Sequence, residues 1–166
     1  MKNATKKPFS VLSLCYGGLL AALVCVATLF LSFKNPVAPG YIHLGDAVIL
    51  IGTLLLGKIA IPAVAIGSLL ADLFAGYPMY CIPSFIIKGC MAAIMLYAIS
   101  KNNKILTISF AVIAEAVMVL AYFICDAWIL GYGVASASGA VFPNIIQGAC
   151  AVIFFVIIMP FLKKIK

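Results

Sequence analysis

Nine residues in this chain have side chains suited to hydrogen-bonding or charge chemistry yet stand in almost unbroken apolar sequence: His43, Asp46, Asp72, Lys88, Glu115, Tyr122, Asp126, Asn144 and Gln147. A charged side chain in hydrocarbon costs about 2.5–3.5 kcal/mol on insertion scales, so such groups normally face a protein interior or a wet cavity. Glu115, Tyr122 and Asp126 are offset by 7 and 11 residues. At about 100° per residue they fall within roughly 40° of one another, which makes one stripe of a helix polar. Asn144 and Gln147 are three residues apart, on one face of a following helix. Amides there suit the donor and acceptor edge of a flat heterocycle, and Glu115 suits an exocyclic amine or hydroxyl. Plainer readings stand beside this one. Lys88 and Glu115 form a self-neutralising ion pair, Asp46 favours a helix N-terminus, the two amides bond between helices, and Tyr77 and Tyr80 belong to an interfacial belt.

Catalysis finds little support in the same residues. The sequence has no G-x-x-x-x-G-K-[ST] for nucleotide phosphates, no H-E-x-x-H, and no serine in a G-x-S-x-G elbow. One histidine is too few for a usual zinc site, so neither a metal nor a cofactor is expected. Cys15, Cys25, Cys90, Cys125 and Cys150 fall inside predicted helices and Cys81 in a loop, without ligand spacing; they read as small packing residues.

The elements that must hold these residues follow from composition. The chain has 166 residues, of which 66% are hydrophobic and 9% charged, far from the roughly 25% charged of soluble domains. It reads as an all-α integral membrane protein, a single transmembrane domain over residues 1–166, with room for six helices. The punctuation predicts them at about residues 8–33, 44–56, 59–75, 83–100, 105–130 and 141–162. Residues 34–43 form a loop of about ten residues, either a lid or a plain connector. A charge-free small-residue loop, GYGVASASGA, precedes the last helix.

Lysines give the expected sidedness. Lys2, Lys6, Lys7, Lys58, Lys101, Lys104, Lys163, Lys164 and Lys166 all fall on one face of a six-span arrangement, which the positive-inside rule makes cytoplasmic, with both termini inside. Lys34 falls in an opposite-face loop and Lys88 within the membrane. The net charge of +7 is therefore topological, and the absence of arginine argues against nucleic acid as a partner. The polar residues of the fourth to sixth helices then make an outward-opening pocket. On helix one, Gly17 with Ala21 and Gly18 with Ala22 form two overlapping small-xxx-small pairs that permit close approach by another helix.

HLGDAVIL at 43–50, IGSLLADLFAGYP at 66–78, FIIKG at 85–89, AEAVMVLAYF at 114–123 and PNIIQG at 143–148 occur in an order and spacing that resembles the substrate-binding S components of energy-coupling factor (ECF) vitamin transporters. The branch is that of hydroxymethylpyrimidine, pyridoxine and riboflavin-type S components. The resemblance implies a six-helix bundle in a bacterial plasma membrane and a pocket from the first external loop and helices four to six. It also implies no ATPase activity in this chain, with a T-component and two ATPase subunits as partners. Family S components meet the T-component through small residues on helix one; here the pattern has glycine first, at Gly17 or Gly18. The expected ligand contacts are His43, Lys88, Glu115, Tyr122, Asn144 and Gln147, around a small vitamin or precursor. Hydroxymethylpyrimidine or pyridoxine is favoured and riboflavin is possible. Two other classes stay open: a small proton-coupled transporter using Glu115, and a membrane scaffold subunit without a ligand.

Overall fold

The computed structural model describes residues 10–34 and 41–162. The first helix, α1, spans Val11–Phe30 and is capped by Ser10, whose hydroxyl accepts the Ser13 backbone N–H at 3.1 Å. It ends three residues earlier than predicted. Ser32–Lys34 forms a strand, β1, antiparallel to β2 at Tyr41–His43, with Ser32 opposite His43 and Lys34 opposite Tyr41. The expected loop over 34–43 is thus anchored by a ribbon whose arms satisfy each other's backbone groups. Residues 35–40 of that expected loop lie outside the described residues.

The helix α2 covers Gly45–Leu56 and α3 covers Ala60–Phe74, joined by a 3-10 turn, Gly57–Ile59, in which Gly57 takes φ 63. A side chain there would be strained, which suits glycine at this turn. After a second 3-10 turn at Pro78–Tyr80, α4 spans Cys81–Ser100. Next, α5 spans Lys104–Ile124 and runs on through a π turn at Cys125–Ile129, and α6 spans Gly133–Leu162.

Among the described residues, five stretches are long and apolar enough to cross a membrane: Val11–Phe30, Gly45–Phe74, Pro78–Ser100, Lys104–Ile129 and Gly133–Leu162. The sequence-based count was six. The difference lies in α2 and α3, of 12 and 15 residues. At 1.5 Å per residue these reach only about 18 and 23 Å, short of a hydrocarbon core of about 30 Å.

The largest correction is to α6. GYGVASASGA was expected to be a loop, but the helix begins at Gly133, within it, because Ala and Ser continue a helix once it has started. Pro143, expected in a first helical turn, instead lies inside a 30-residue helix. Asn144 and Gln147 are therefore held at mid-helix rather than at its fraying end.

Apolar side chains fill one part of the bundle. Leu50, Met91, Met95, Met118, Phe155 and Met159 form one cluster from α2, α4, α5 and α6; Leu20, Val24, Ile49 and Val64 form a second from α1, α2 and α3. The α1–α3 seam is tight at Gly67, where an added Cβ would run into the Ala21 carbonyl oxygen. Gly17 is buried in the same seam, its Cβ position 3.0 Å from Ile59. Gly18 and Ala22 face outward, and nothing lies within 4 Å of the Gly18 Cβ position. The two small-residue registers of α1 thus separate: Gly17 with Ala21 packs inside the chain, while Gly18 with Ala22 is exposed.

Candidate functional site

The polar residues converge at the end of the bundle that carries the β1–β2 ribbon. His43, closing β2, donates its backbone N–H to Gln147 Oε1 at 2.9 Å, and Gln147 Nε2 donates to Asp46 Oδ2 at 2.6 Å. Lys88 Nζ reaches Asp46 Oδ1, also at 2.6 Å. One chain of bonds thus ties β2, α6, α2 and α4 together. The Gln147 amide has its orientation fixed from both ends, since a flip would set its oxygen against a carboxylate and its NH2 against an N–H donor. Lys88 and Asp46 are 1% and 0% exposed, so each is the other's compensation away from the surface.

Lys88 therefore pairs with Asp46, which corrects the reading that paired it with Glu115. Asp46 does lie in the first turn of α2, as the dipole reading required, but its oxygens are also committed to Lys88 and Gln147. The Lys88 ammonium lies 5.3 Å from the centre of the Tyr122 ring, a cation–π distance.

Above this layer lies a wall of tyrosines and acids. Tyr41 donates to Asp72 Oδ1 at 2.6 Å, and Tyr80 donates to Asp126 Oδ1 at 2.8 Å. Tyr122 and Ser84 share a hydroxyl–hydroxyl bond of 2.6 Å. The rings of Tyr41 and Tyr77, Tyr77 and Tyr80, and Tyr80 and Tyr122 follow one another at 5.3, 6.3 and 6.2 Å. Tyr80 is only 6% exposed, so it belongs to this interior wall and not to an interfacial belt. The π turn contributes here: widening the helix at Cys125 sets Asp126 toward Tyr80.

These residues enclose a cavity of about 40 Å³ lined by Tyr41, His43, Asp72, Tyr80, Ser84, Tyr122, Asp126, Ala140, Asn144 and Gln147. Of the six expected ligand contacts, His43, Tyr122, Asn144 and Gln147 are in this wall. Lys88 sits behind it, bonded to Asp46. Glu115 does not line this cavity: it packs on Gly148, where an added Cβ would stand 2.9 Å from the Glu115 Cβ, and lines a separate apolar cavity of about 420 Å³ between α5 and α6, within electrostatic reach of Asp46 and Lys88. Both its carboxyl oxygens are buried without a hydrogen-bond partner among the described residues. A polar stripe on α5 was legible, but the π turn and the position of α6 divide it, taking Tyr122 and Asp126 to one cavity and Glu115 to another.

Asp72, Asp126, Tyr41, Tyr80 and Ser84 belong to the wall but not to the expected contact set. The two carboxylates were signalled by their positions in apolar sequence; the tyrosines and serine carried no signal that separates them from belt or packing residues. Asn144 makes no side-chain hydrogen bond among the described residues, which leaves its amide open to the cavity.

Two groups in the ribbon have shifted acidities. Burial pushes the His43 imidazole down to about 4; Asp46 opposes that shift and Lys88 adds to it. Neutral His43 accepts the Gly45 N–H at Nδ1, 3.1 Å away, which leaves the proton on Nε2. Burial, followed by the Asp72 charge, raises Tyr41 above the usual phenol range, so it stays a donor to that carboxylate.

Comparison with known proteins gives this arrangement a context. A solved structure described as the S component of a bacterial ECF transporter superposes with a TM-score of 0.74 at 24% identity, over 92% of this chain and 96% of that one, which establishes the fold. A Pyrococcus woesei relative, named only as an uncharacterized protein in the gap 3′ region, is 30% identical over 132 residues, 78% of this chain and 87% of that protein. A family model described as ECF-type riboflavin transporter, S component, matches residues 8–166. Nearly the whole chain is covered by that match, and the chain belongs to the S-component family of ECF transporters.

Proposed function

We propose that the ribbon-end cavity is the substrate site of an ECF-type importer, taking a small vitamin or vitamin precursor from outside the cell. Hydroxymethylpyrimidine or a pyridoxine-like ring suits the donor and acceptor groups, and riboflavin follows from the family's description. The observation that carries this reading is the Asn144 amide, without a hydrogen-bond partner among the described residues, in a tyrosine-walled cavity at one end of an apolar bundle. His43, Tyr122, Asn144 and Gln147 contact the ligand, and Lys88 with Asp46 positions Gln147. At about 40 Å³ the cavity holds little more than water, against 300 Å³ or more for a ligand site. Entry therefore requires the β1–β2 ribbon to lift as a lid, giving up the bond from His43 to Gln147.

In this reading the chain crosses the plasma membrane six times, with both termini cytoplasmic. Support comes from Asp46 and Asp72, at the start of α2 and the end of α3: both lie at the ribbon end, so α2 and α3 run in opposite directions. The lysine pattern puts the opposite end in the cytoplasm. There a T-component and two ATPase subunits supply the energy for release, with the T-component laid along Gly18 and Ala22 of α1. Gly17 and Ala21, the other members of the expected contact set, lie in the seam with α3 and set the shape behind that surface.

The test is a binding screen of purified protein, in detergent, against B vitamins and their precursors. Binding of one compound by the isolated chain, with uptake only when the partner subunits are supplied, is the expected result. Absence of binding across the panel overturns the proposal.

A further inference from the structure

The cavity wall is unbalanced in charge. Asp72 and Asp126 both line it, and among its described lining residues there is no lysine; Lys88 lies behind it, committed to Asp46. Asp72 is 5% exposed. Its Oδ1 accepts from Tyr41, and the Ser84 hydroxyl, shared with Tyr122, is close enough to act on the carboxylate, while Oδ2 is buried without a hydrogen bond of good geometry among the described residues. A buried carboxylate oxygen left without a donor is costly, and a ligand that brings a donor removes that cost as it binds. The rings that line the cavity with it are those of Tyr41, Tyr80 and Tyr122, and aromatic faces favour a planar cation over a planar anion.

We infer that Asp72 is a specificity-determining residue, and that it selects a nitrogen heterocycle carrying an amino group over the same ring carrying a hydroxyl. The amine donates to Asp72 Oδ2, the ring lies against the tyrosines, and the Asn144 amide meets a second edge of the ring. Ammonium and amidine-like amines make charge-assisted bonds to a carboxylate, stronger than those of a neutral hydroxyl. Asp126, held by Tyr80, adds negative potential at the same wall. This inference rests on the cavity being the substrate site.

Two matched pairs of compounds test it by isothermal titration of the purified full-length protein: pyridoxamine against pyridoxine, and 4-amino-5-hydroxymethyl-2-methylpyrimidine against its 4-hydroxy analogue. The wild-type protein should prefer the amine in the pair it binds by about tenfold or more. Asp72→Asn should bring that ratio near one while the hydroxyl compound still binds. If the hydroxyl member or riboflavin binds wild-type protein as tightly as the amine, the selectivity is wrong although the substrate site stands. If the amine preference survives intact in Asp72→Asn, another residue reads the amine. If folded wild-type protein binds no member of either pair and no riboflavin, the substrate site itself is misassigned. The wild-type ratio needs no variant, so the inference remains testable even if Asp72→Asn fails to fold.

Discussion

Lys88 Nζ and Asp46 Oδ1 meet at 2.6 Å where the two side chains are 1% and 0% exposed, so a cation on α4 and an anion on α2 neutralise each other inside the bundle. Removing one partner leaves an uncompensated buried charge, which costs about 3–5 kcal/mol. Asp46→Ala should therefore lower the thermal unfolding midpoint in detergent sharply. The double variant Asp46→Ala with Lys88→Met should recover much of the loss, because neither charge is then stranded. Equal damage from the single and double variants would mean that the bond from Gln147 to Asp46, and not the ion pair, holds these helices.

Asn144 and Glu115 separate the two cavities by experiment. Asn144→Ala should weaken ligand binding by about 1–3 kcal/mol, the cost of a buried hydrogen bond lost from the bound complex. Glu115→Gln, which alters a carboxyl facing Gly148 and the apolar cavity, should leave affinity within about twofold, a shift of under about 0.5 kcal/mol. Titration calorimetry of both proteins checks this. Weakened binding in Glu115→Gln would show that the ligand reaches between α5 and α6.

The two registers of α1 predict opposite outcomes for similar substitutions. Gly18→Leu or Ala22→Leu adds bulk to an exposed surface, so ligand binding by the purified protein should stay near normal while uptake with the partner subunits is lost. Gly67→Val sets a side chain against the Ala21 backbone and should destabilise the chain itself, by about 1–3 kcal/mol for an overpacked contact. Uptake assays and thermal melts read the two effects separately. Intact uptake in both α1 variants would place the coupling surface elsewhere.

His43 gives a pH dependence of definite sign. Its imidazole is held at about 4 in the folded chain, against an ordinary value near 6.5, so the unfolded chain takes up a proton first as pH falls. The stabilisation from neutral His43 is complete above about pH 6.5 and should be lost progressively as pH drops toward 4. Protonation at Nδ1 also removes the acceptor for the Gly45 N–H. His43→Asn keeps a side-chain acceptor near that N–H but does not titrate, so its melting temperature should fall less over this range than that of the wild type. Parallel curves would mean that carboxylates alone set the acid sensitivity.

The sequence by itself determined the solvent this protein lives in and most of its helices. Apolar runs broken by Gly57 and by Gly76 with Pro78 report local chain properties: hydropathy and turn chemistry need no distant contact to be read. The same local reading singled out Asp46, Asp72, Lys88 and Glu115, because a charge in hydrocarbon is conspicuous wherever its partner lies. Which charge meets which was decided only in three dimensions. Lys88 had two carboxylates at plausible depth, and the packing of α2 against α4 gave it Asp46, a residue 42 positions away, while Glu115 was turned to Gly148. Helical spacing placed Gly17 and Gly18 on adjacent faces equally suited to a partner, until the approach of α3 at Gly67 took one of them. The early start of α6, the π turn that aims Asp126 at Tyr80, and the ribbon that carries His43 to Gln147 arise from backbone and side-chain partners far apart in the chain. Periodicity within one helix carries no information about them, because each is fixed by what the neighbouring element supplies.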